Sequence, residues 1–428
     1  MFVYTPTLHP RIDYIMRWMF SFPGEELRVT SDIEVFKLAQ GPKVWYCNEV
    51  CPVDDAISYP LIPVLWNNSI HNLQPVVSYR NNMPFPDFTG RSEFDPFAAC
   101  FFVLSRYEEY AAVAFDEHGR FSAQQAWGGP TVVQRPWADI WRSEVHAQIA
   151  KKFATYKPNV PGYRSVASID VDSAFAFRFK GVRRTMGAAV LDVLRLKFGR
   201  ALTRLKCVLF NEQDPFDTYE YILDTCLSRA IELRCFFLLA DRSRYDINVD
   251  HRNSQLSERI EDMRDGGAVV GIHPGYESHN DIRIVRTEIG RLNAILGDKT
   301  QHSRQHFLKF RLPVTYRRLL ECDILHDHSM GYADVPGFRA GTAHPYKWFD
   351  VERNEITPLL VHPIIVMDST LRDYQKLNPA DALRVIAELK TEVKATGGDF
   401  VSLWHNETVA EQGDWVGWRA VWEEAIQP

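Results

Sequence analysis

The sequence has no excess of positive charge, no long apolar run and no framework of paired cysteines. The 428-residue chain has a net charge of -6 and a pI near 6.2, which gives no electrostatic footprint for nucleic acid or an anionic membrane. No segment reaches about 18 uninterrupted apolar residues, so no membrane span is expected. The seven cysteines are odd in number and only Cys47 and Cys51 lie close together, which favours reduced thiols over disulfides.

The N-terminal residues also lack the order of a secretory signal. Arg11, Asp13 and Arg17 interrupt their apolar pattern, and no sequence of basic, apolar and small residues follows. Together with the reduced cysteines, this predicts a cytoplasmic protein. Aromatic residues make up 13% of the chain, which indicates a large aromatic core, although carbohydrate sites also use aromatic faces.

What is present is typical of a globular α/β protein with more than one domain. Hydrophobic residues make up 46% of the chain and charged residues 24%. The pattern predicts a strand at 2–4 and an amphipathic helix at 9–20. Two prolines and a glycine in 156–162 indicate a linker. We therefore expect a mixed α/β domain over 1–155 and a second domain over 156–428.

The segment 95–110 is predicted to form a helix within the first of these domains. Asp95 is the expected N-cap and Pro96 the first helical residue, ahead of an apolar face. Arg106, Glu108 and Glu109 near its end can form a buried ion network. We favour a cluster of salt bridges at the helix end, because no partner motif for a buried network is visible.

After the linker, apolar strands alternate with amphipathic helices, in the order expected of repeated βα units. The expected strands are 165–169, 235–239, 268–272 and 400–403, and the expected helices are 217–230, 281–296, 315–321 and 379–396.

Two carboxylates follow the first of these strands. Asp170 and Asp172 are separated by one residue, so in extended backbone both side chains point the same way and reach one site. A shared cation or proton would compensate their repulsion. The alternative is a helix N-cap next to a turn aspartate.

Histidines follow three other strand segments. His273 comes directly after the strand at 268–272, where a neutral imidazole suits a divalent metal, and the alternative is a structural histidine. Arg304 and His306 alternate with apolar residues. Arg304 can orient a carboxylate through two N–H donors, and His306 can be a metal ligand, unless the segment is only a basic surface loop.

His405 ends the last predicted strand, beside Trp404. A histidine next to an indole can have its pKa tuned for general acid catalysis, and the alternative is a ring that only packs on the tryptophan.

The order of these groups resembles the polysaccharide deacetylase (NodB-type) superfamily. The motifs run from a carboxylate pair through a histidine metal site and an arginine motif to an aspartate motif and Leu-x-His. In this chain they are Asp170-Val171-Asp172, His273, Arg304, Asp327-His328-Ser329 and Leu403-Trp404-His405. The segments DPFAACFFVLSRYEEY, DEHGRF, GFRAGTAHPYKWFD and MDSTLRDY also resemble a bacterial family that joins an uncharacterised N-terminal domain to a deacetylase-like domain.

The resemblance implies a distorted (β/α) barrel of the deacetylase type, preceded by a smaller mixed α/β domain. It implies that Asp170 is the general base, oriented by Arg304, and that His405 protonates the leaving amine. Asp172 and His273 would bind a divalent metal, most simply Zn²⁺.

The third ligand is left open by the resemblance. The family usually has a second histidine four residues after the first, and Glu277 occupies that position here. The remaining candidates are Glu277, His279 and His306, of which we favour His306 because its loop can face the site.

The function implied is metal-dependent removal of an N-acetyl group from an amino sugar in the biosynthesis of a surface polysaccharide or other glycan. For a cytoplasmic protein, a nucleotide-linked or lipid-linked sugar is the expected substrate. One alternative is a hydrolase of a non-sugar amide. The other is a catalytically lapsed carbohydrate-binding or scaffold protein, which the missing second histidine favours.

Overall fold

The computed structural model describes residues 1–22, 26–70, 73–112 and 114–428. The strands in these residues are β1 Phe2–Tyr4, β2 Arg28–Thr30, β3 Lys43–Tyr46, β4 Ile57–Tyr59, β5 Val76–Arg80, β6 Met83–Asp87, β7 Tyr163–Val171, β8 Glu232–Phe237, β9 Val269–Ile272, β10 His302–Ser303, β11 His326–Asp327, β12 Tyr346–Asp350, β13 Glu355–Val361, β14 Val366–Met367 and β15 Gly398–His405.

The helices in the same residues are α1 Pro10–Phe20, α2 Ile33–Leu38, α3 Pro96–Leu104, α4 Tyr107–Tyr110, α5 Gly129–Val132, α6 Trp137–Lys152, α7 Val182–Leu194, α8 Phe198–Leu209, α9 Tyr219–Ser228, α10 Ser254–Asp265, α11 Ile282–Leu296, α12 Val314–Leu320, α13 Pro379–Thr396 and α14 Trp418–Ala425. Within the described part of the chain, none of these helices combines the length and the apolar character that crossing a membrane requires.

The first four strands form a small parallel sheet in the order β2-β1-β3-β4. β1 and α1 confirm the predicted strand and helix at the start of the chain. His9 caps α1 by accepting a hydrogen bond from the Arg11 N–H, and Pro10 occupies the first helical position, where its missing N–H costs nothing. The apolar side of α1 contacts α3 and β13, so this part of the chain packs directly on the larger sheet.

The predicted helix at 95–110 is divided into α3 and α4. Asp95 caps α3 by accepting hydrogen bonds from the N–H groups of Phe97 and Ala98, as expected, and all nine residues of α3 are buried. Arg106 then adopts a left-handed backbone conformation with φ of 54°, which ends the regular helix. The local sequence predicted continuity, but the turn at Arg106 directs its guanidinium into the interior.

That guanidinium belongs to a buried ion network. Nε of Arg106 donates to Glu109 at 2.7 Å, Nη2 donates to Glu108 at 2.7 Å, and Arg339 donates to both carboxylate oxygens of Glu109 at 3.0 and 2.7 Å. Burial opposes ionisation, but the charges of Arg339 and Arg106 hold the pKa of Glu109 below its ordinary value. The preference for a helix-end cluster was therefore wrong: the partner, Arg339, is far away in sequence.

The larger sheet has nine strands in the order β12-β13-β11-β10-β9-β8-β7-β15-β14. All neighbouring pairs are parallel except β12 and β13. β7, β8, β9 and β15 confirm the four predicted strands, and α9, α11, α12 and α13 confirm the four predicted helices. Parallel strands with intervening helices confirm the α/β class.

The segment between β13 and β14 crosses between distant strands of this sheet. The N–H of Ile364 donates to the carbonyl of Met330, just after β11, and the N–H of Ile365 donates to the carbonyl of Val401 in β15. Among the described residues, no strand pair joins β12 to β14, so no hydrogen-bonded ladder closes the sheet. Closure into a barrel stays a prediction.

The parts of the chain before and after the predicted linker share one hydrophobic core. The rings of Phe101 and Phe349 lie 5.3 Å apart, and the hydroxyl of Tyr14 donates to the carbonyl of Lys347. The predicted linker lies in irregular chain between α6 and β7. The division at residue 155 stays a prediction, while the shared core shows that the two parts stabilise each other.

Four histidines stack inside the larger sheet. Nδ1 of His302 lies 3.1 Å from Nε2 of His328, and Nδ1 of His326 lies 3.0 Å from Nε2 of His362. The rings stack between these pairs, with His302 on His326 and His328 on His362, each at a centroid distance of 4.4 Å. Burial and neighbouring positive charge lower the pKa of His302 to about 3 and hold those of His328 and His362 well below the ordinary value. These rings are therefore uncharged at neutral pH.

We expect Glu109→Gln to lower the free energy of unfolding by about 3–5 kcal/mol, because it leaves two buried guanidinium groups without their shared carboxylate. The matched control is Glu355→Gln, in an exposed ion pair with Arg353 at 3.7 Å, which should cost less than about 1 kcal/mol. Urea unfolding of both variants measures the difference. Equal losses would show that the buried network does not contribute more than a surface pair.

Candidate metal and catalytic site

The polar residues predicted from the strand ends converge at one edge of the larger sheet. Asp170 lies in β7 and is paired in register with His405, the last residue of β15. His273 directly follows β9, and Arg304 directly follows β10. Since β7, β9, β10 and β15 are parallel, their carboxyl ends meet at the same edge.

Asp172 lies at the centre of the arrangement. Its Oδ1 lies 3.1 Å from Nε2 of His273, and its Oδ2 lies 3.3 Å from Nε2 of His306. In the described part of the chain, these three residues form the one group whose potential ligand atoms all lie within 4.8 Å of one another. Two atoms bound at about 2.0–2.1 Å to a tetrahedral metal lie about 3.3 Å apart, close to these distances.

The two imidazoles are oriented by acceptors on their other nitrogens. Nδ1 of His273 donates to the carbonyl of Arg304 at 2.7 Å, and Nδ1 of His306 lies 2.9 Å from Oδ1 of Asp246. Metal-binding histidines usually have such a second partner, which fixes the ring and the tautomer. Nε2 of each ring is left facing Asp172.

The donor set fits a divalent cation such as zinc. Oδ1 of Asp172 is buried and accepts no hydrogen bond, although Nε2 of His273 is near. A strong acceptor is therefore left without a partner between the two imidazole rings. Two imidazole nitrogens and one carboxylate oxygen leave a coordination position for water or substrate, as in catalytic zinc sites. The Asp172 side chain is 28% exposed, so this position can be reached from solvent.

The charges of Asp172 and His306 depend on each other. Desolvation opposes ionisation of Asp172, but His306 and His273 hold the pKa of its carboxyl well below the ordinary value. Desolvation alone would lower the pKa of His306, but the carboxylates of Asp172 and Asp246 raise it to about 9. A metal ion must displace this proton below that pH, so its affinity should fall as the pH falls.

Asp170 is held by Arg304. Nη1 of Arg304 donates to Oδ1 of Asp170 at 2.8 Å, and Nη2 donates to the hydroxyl of Ser168 at 2.8 Å. The guanidinium is fully buried, lies over the ring of Phe236 at 4.3 Å, and donates from Nε to the carbonyl of His328. Arg304 therefore has one orientation, and Asp170 is fixed beside His273, whose Nε2 lies 3.7 Å from Oδ2.

His405 is paired with Asp368, a residue that the sequence analysis missed. Nδ1 of His405 lies 3.0 Å from both carboxylate oxygens of Asp368, and Nε2 lies 3.6 Å from Oδ2 of Asp172. Desolvation alone would lower the pKa of His405, but the charge of Asp368 raises it well above the ordinary value. His405 is therefore positively charged in the metal-free site and is placed to donate a proton.

Of the three candidates for the third ligand, His306 is the one that lies in the group around Asp172. Glu277 is exposed and lies outside the group around Asp172. His279 also lies outside it and has its Nδ1 2.9 Å from the carbonyl of Tyr276. The roles assigned to the site residues stay predictions, but the structure brings His306 together with His273 and separates the other two candidates from them.

Asp327 does not reach the metal group. Its carboxylate accepts hydrogen bonds from Tyr316 and from Ser329 and is fully buried. The Asp327-His328-Ser329 motif instead helps to position Arg304, because the backbone carbonyl of His328 accepts a hydrogen bond from Nε of Arg304.

The sequence analysis did not identify Asp368 or Asp246, and the reason differs between the two residues. Asp368 directly follows β14, a strand of two residues that is too short to recognise by periodicity, within the MDSTLRDY segment. Asp246 lies between β8 and α10 in irregular chain, with no local signal.

Comparison with known proteins gives a sequence match at the N-terminus and structural likenesses that cover up to 64% of the chain. Residues 1–154 match a family described as "Family of unknown function (DUF7033)". No curated protein sequence matches the chain.

Three solved structures illustrate the likenesses. A protein assigned as a polysaccharide deacetylase from Mycobacterium smegmatis is 15% identical, with a TM-score of 0.41, covering 64% of this chain and 85% of that one. The wild-type CE4 family pseudoenzyme from Bacillus anthracis is 9% identical, with a TM-score of 0.30 and coverages of 63% and 62%. IcaB from Ammonifex degensii is 16% identical, with a TM-score of 0.24 and coverages of 40% and 85%.

The first two of these proteins carry the names polysaccharide deacetylase and CE4 family pseudoenzyme.

We expect His306→Ala to weaken zinc binding by about 100-fold or more, because it removes one of three ligands, and His279→Ala to leave it unchanged. Asp246→Asn should weaken binding about 10–100-fold by freeing the His306 ring. Titration calorimetry on metal-stripped protein measures the three affinities. Equal affinities for His306→Ala and His279→Ala would contradict the assignment of His306.

Proposed function

We propose that the chain is a divalent-metal-dependent hydrolase that removes an N-acetyl group from an amino sugar. The observation that carries the proposal is the convergence of three arrangements on one point. These are the Asp172, His273 and His306 group, the Arg304–Asp170 pair and the Asp368–His405 pair. We also propose that 156–428 form the distorted barrel that holds this site and that 1–155 form a smaller domain of unknown role.

Asp172, His273 and His306 would hold the cation. When bound, a divalent ion such as zinc supplies Lewis acidity, which lowers the pKa of water and polarises an amide carbonyl. The protein's contribution is a donor set already fixed by Arg304 and Asp246, so little rearrangement is needed on binding.

Asp170 is suited to accept a proton from the attacking water. Its Oδ1 is engaged by Arg304, which leaves Oδ2 toward His273 and the metal group. The pairing with Arg304 and the buried position keep this carboxylate in one geometry.

His405 is suited to protonate the departing nitrogen. Its pKa is raised by Asp368, so the imidazolium is present at neutral pH, and its Nε2 faces Asp172. A base and an acid beside one small site match the needs of amide hydrolysis, in which water loses a proton and the amine gains one.

The choice of an N-acetylated amino sugar rests on the resemblance of the motifs, and a nucleotide-linked or lipid-linked sugar in the cytoplasm is our proposed substrate. A non-sugar amide would use the same groups. A lapsed scaffold was favoured by the missing second histidine. His306 lies beside His273 with its Nε2 directed at Asp172, which supports a complete ligand set and weakens that reason for favouring the scaffold.

We expect zinc-loaded protein to release acetate from an N-acetylated sugar or sugar nucleotide within a panel of such compounds. Asp170→Asn should lower kcat by at least about 100-fold, because an amide cannot accept the water proton. The matched control, Asp250→Asn, changes an exposed carboxylate that is paired with Arg252 and should leave kcat unchanged. Zinc binding without acetate release from any compound would favour the scaffold.

We expect Asp368→Asn to shift the alkaline limb of the kcat/KM profile to lower pH. Asp368 raises the pKa of His405, so its neutralisation lowers that pKa, and the imidazolium that donates the proton is lost at a lower pH. The exposed Asp414→Asn is the control and should keep the wild-type profile. An alkaline limb that does not move in Asp368→Asn would exclude His405 as the acid.

A further inference from the structure

The helices α7 and α8 form a hairpin whose composition differs from the rest of the chain. We call residues 178–210 the α7–α8 hairpin. They include nine Lys and Arg residues and a single acidic residue, Asp192, in a chain whose net charge is -6. Nε and Nη2 of Arg204 donate to Asp192 at 3.0 and 2.7 Å between the two helices, so the single acidic group is used inside the hairpin.

The hairpin exposes two apolar stripes. On α7, the apolar side chains lie four, eight and twelve residues after the first one, Val182. On α8, they lie four, seven and eleven residues after Phe198. With these spacings, the side chains share one side of each helix. On an ordinary surface helix such a side faces the core, but these side chains are 47% to 75% exposed. The stripes consist of Val182, Met186, Val190 and Leu194 on α7 and Phe198, Leu202, Leu205 and Leu209 on α8.

Both helices line one open groove of about 1090 Å³, whose walls are mainly apolar side chains. More than half of the large hydrophobic side chains that are exposed in the described residues belong to this hairpin. An exposed apolar surface of this kind marks a contact with another molecule or with a membrane.

The positive charges of the hairpin are largely uncompensated. In the described residues, carboxylates lie within 4.0 Å of Arg200, Arg204 and Lys206. No such partner is found there for the other six, which are Arg178, Lys180, Arg183, Arg184, Arg195 and Lys197. The surface thus combines exposed apolar side chains with cations that lack a carboxylate partner, which is the combination that binds anionic lipid headgroups.

We propose that the α7–α8 hairpin docks on the surface of an anionic phospholipid bilayer. The apolar stripes enter the boundary between headgroups and acyl chains, and the free cations contact lipid phosphates. α7 has 13 residues and α8 has 12, so each is about 20 Å long, too short to cross a hydrocarbon core of about 30 Å. The hairpin therefore lies in the interface and does not span it.

A second copy of the chain fits this surface less well. Two hairpins face to face would place free cations against free cations, with no carboxylates of the hairpin left to pair with them. An anionic bilayer supplies both the apolar layer and the negative charge that the surface lacks.

Docking would bring the candidate site close to the lipid headgroups. The hairpin follows Asp172 within a few residues, and Nζ of Lys180 donates to the hydroxyl of Ser173 at 3.2 Å. Phe177 and Lys180 line a cavity of about 660 Å³ together with Glu407, two residues beyond His405. Delivery of a lipid-linked substrate to the site rests on the proposed function, whereas docking itself does not.

The test is sedimentation of the purified full chain with vesicles, without any measurement of activity. We expect binding to vesicles of phosphatidylglycerol mixed with phosphatidylcholine, and at least about tenfold weaker binding to pure phosphatidylcholine or at high salt. Equal binding to charged and neutral vesicles, or no binding to either, overturns the proposal.

Paired variants assign the binding surface. Val190→Asp and the double variant Arg183→Glu/Arg184→Glu should each weaken vesicle binding about tenfold or more. The controls Val416→Asp and Lys299→Glu, at comparably exposed positions elsewhere, should bind like wild type. Since all these positions lie at the surface, thermal unfolding should be unchanged, and a lowered Tm would identify a variant that reports on folding instead.

Two outcomes would overturn the assignment. One is unchanged vesicle binding in both well-folded hairpin variants. The other is self-association of the wild type, abolished by Val190→Asp and without binding to vesicles, which would show that a second copy covers the apolar stripes.

Discussion

The site depends on a shared constraint: each of its three histidines has Nδ1 engaged by an acceptor from a different segment. The carbonyl of Arg304 holds His273, Asp246 holds His306 and Asp368 holds His405. Each ring is therefore fixed in orientation, and its Nε2 is directed toward Asp172. The acceptors differ in charge: a neutral carbonyl holds His273, whereas buried carboxylates hold His306 and His405 and help to raise the pKa of both rings.

The contacts that hold the strand ends in place extend beyond the larger sheet. Arg304 joins three strands by binding Asp170, Ser168 and the carbonyl of His328. Farther away, Arg106 and Glu109 from the N-terminal part meet Arg339 in a buried network. With one hydrophobic core common to both parts, the N-terminal residues contribute to the rigidity on which the strand ends depend.

Much of this organisation was predictable from sequence because the signals are local. Asp170, His273 and His405 each end or follow an apolar strand, and parallel pairing then brings strand ends to one edge. The register between Asp170 and His405 is a property of pairing between β7 and β15, which are separated by more than 200 residues, and it cannot be read from either strand alone.

The parts that were not predictable depend on contacts distant in sequence. His306 could not be chosen firmly over Glu277 and His279, because all three lie in loops whose direction is set by packing. Asp246 has no local pattern, and Arg106 leaves the helix because its partner, Arg339, comes from a segment more than 200 residues later. The helix pattern of residues 95–110 contains no information about this distant contact.

The stacked histidines next to Arg304 set a lower limit to the pH at which this fold is stable. His302, His328 and His362 are uncharged inside the sheet, with pKa values below that of an unfolded histidine. The unfolded chain therefore binds more protons as the pH drops below about 6.5, and the stability gained from burying neutral rings is lost progressively toward the folded-state pKa. Acid would thus loosen the interior at β10 and β11, directly beside Arg304.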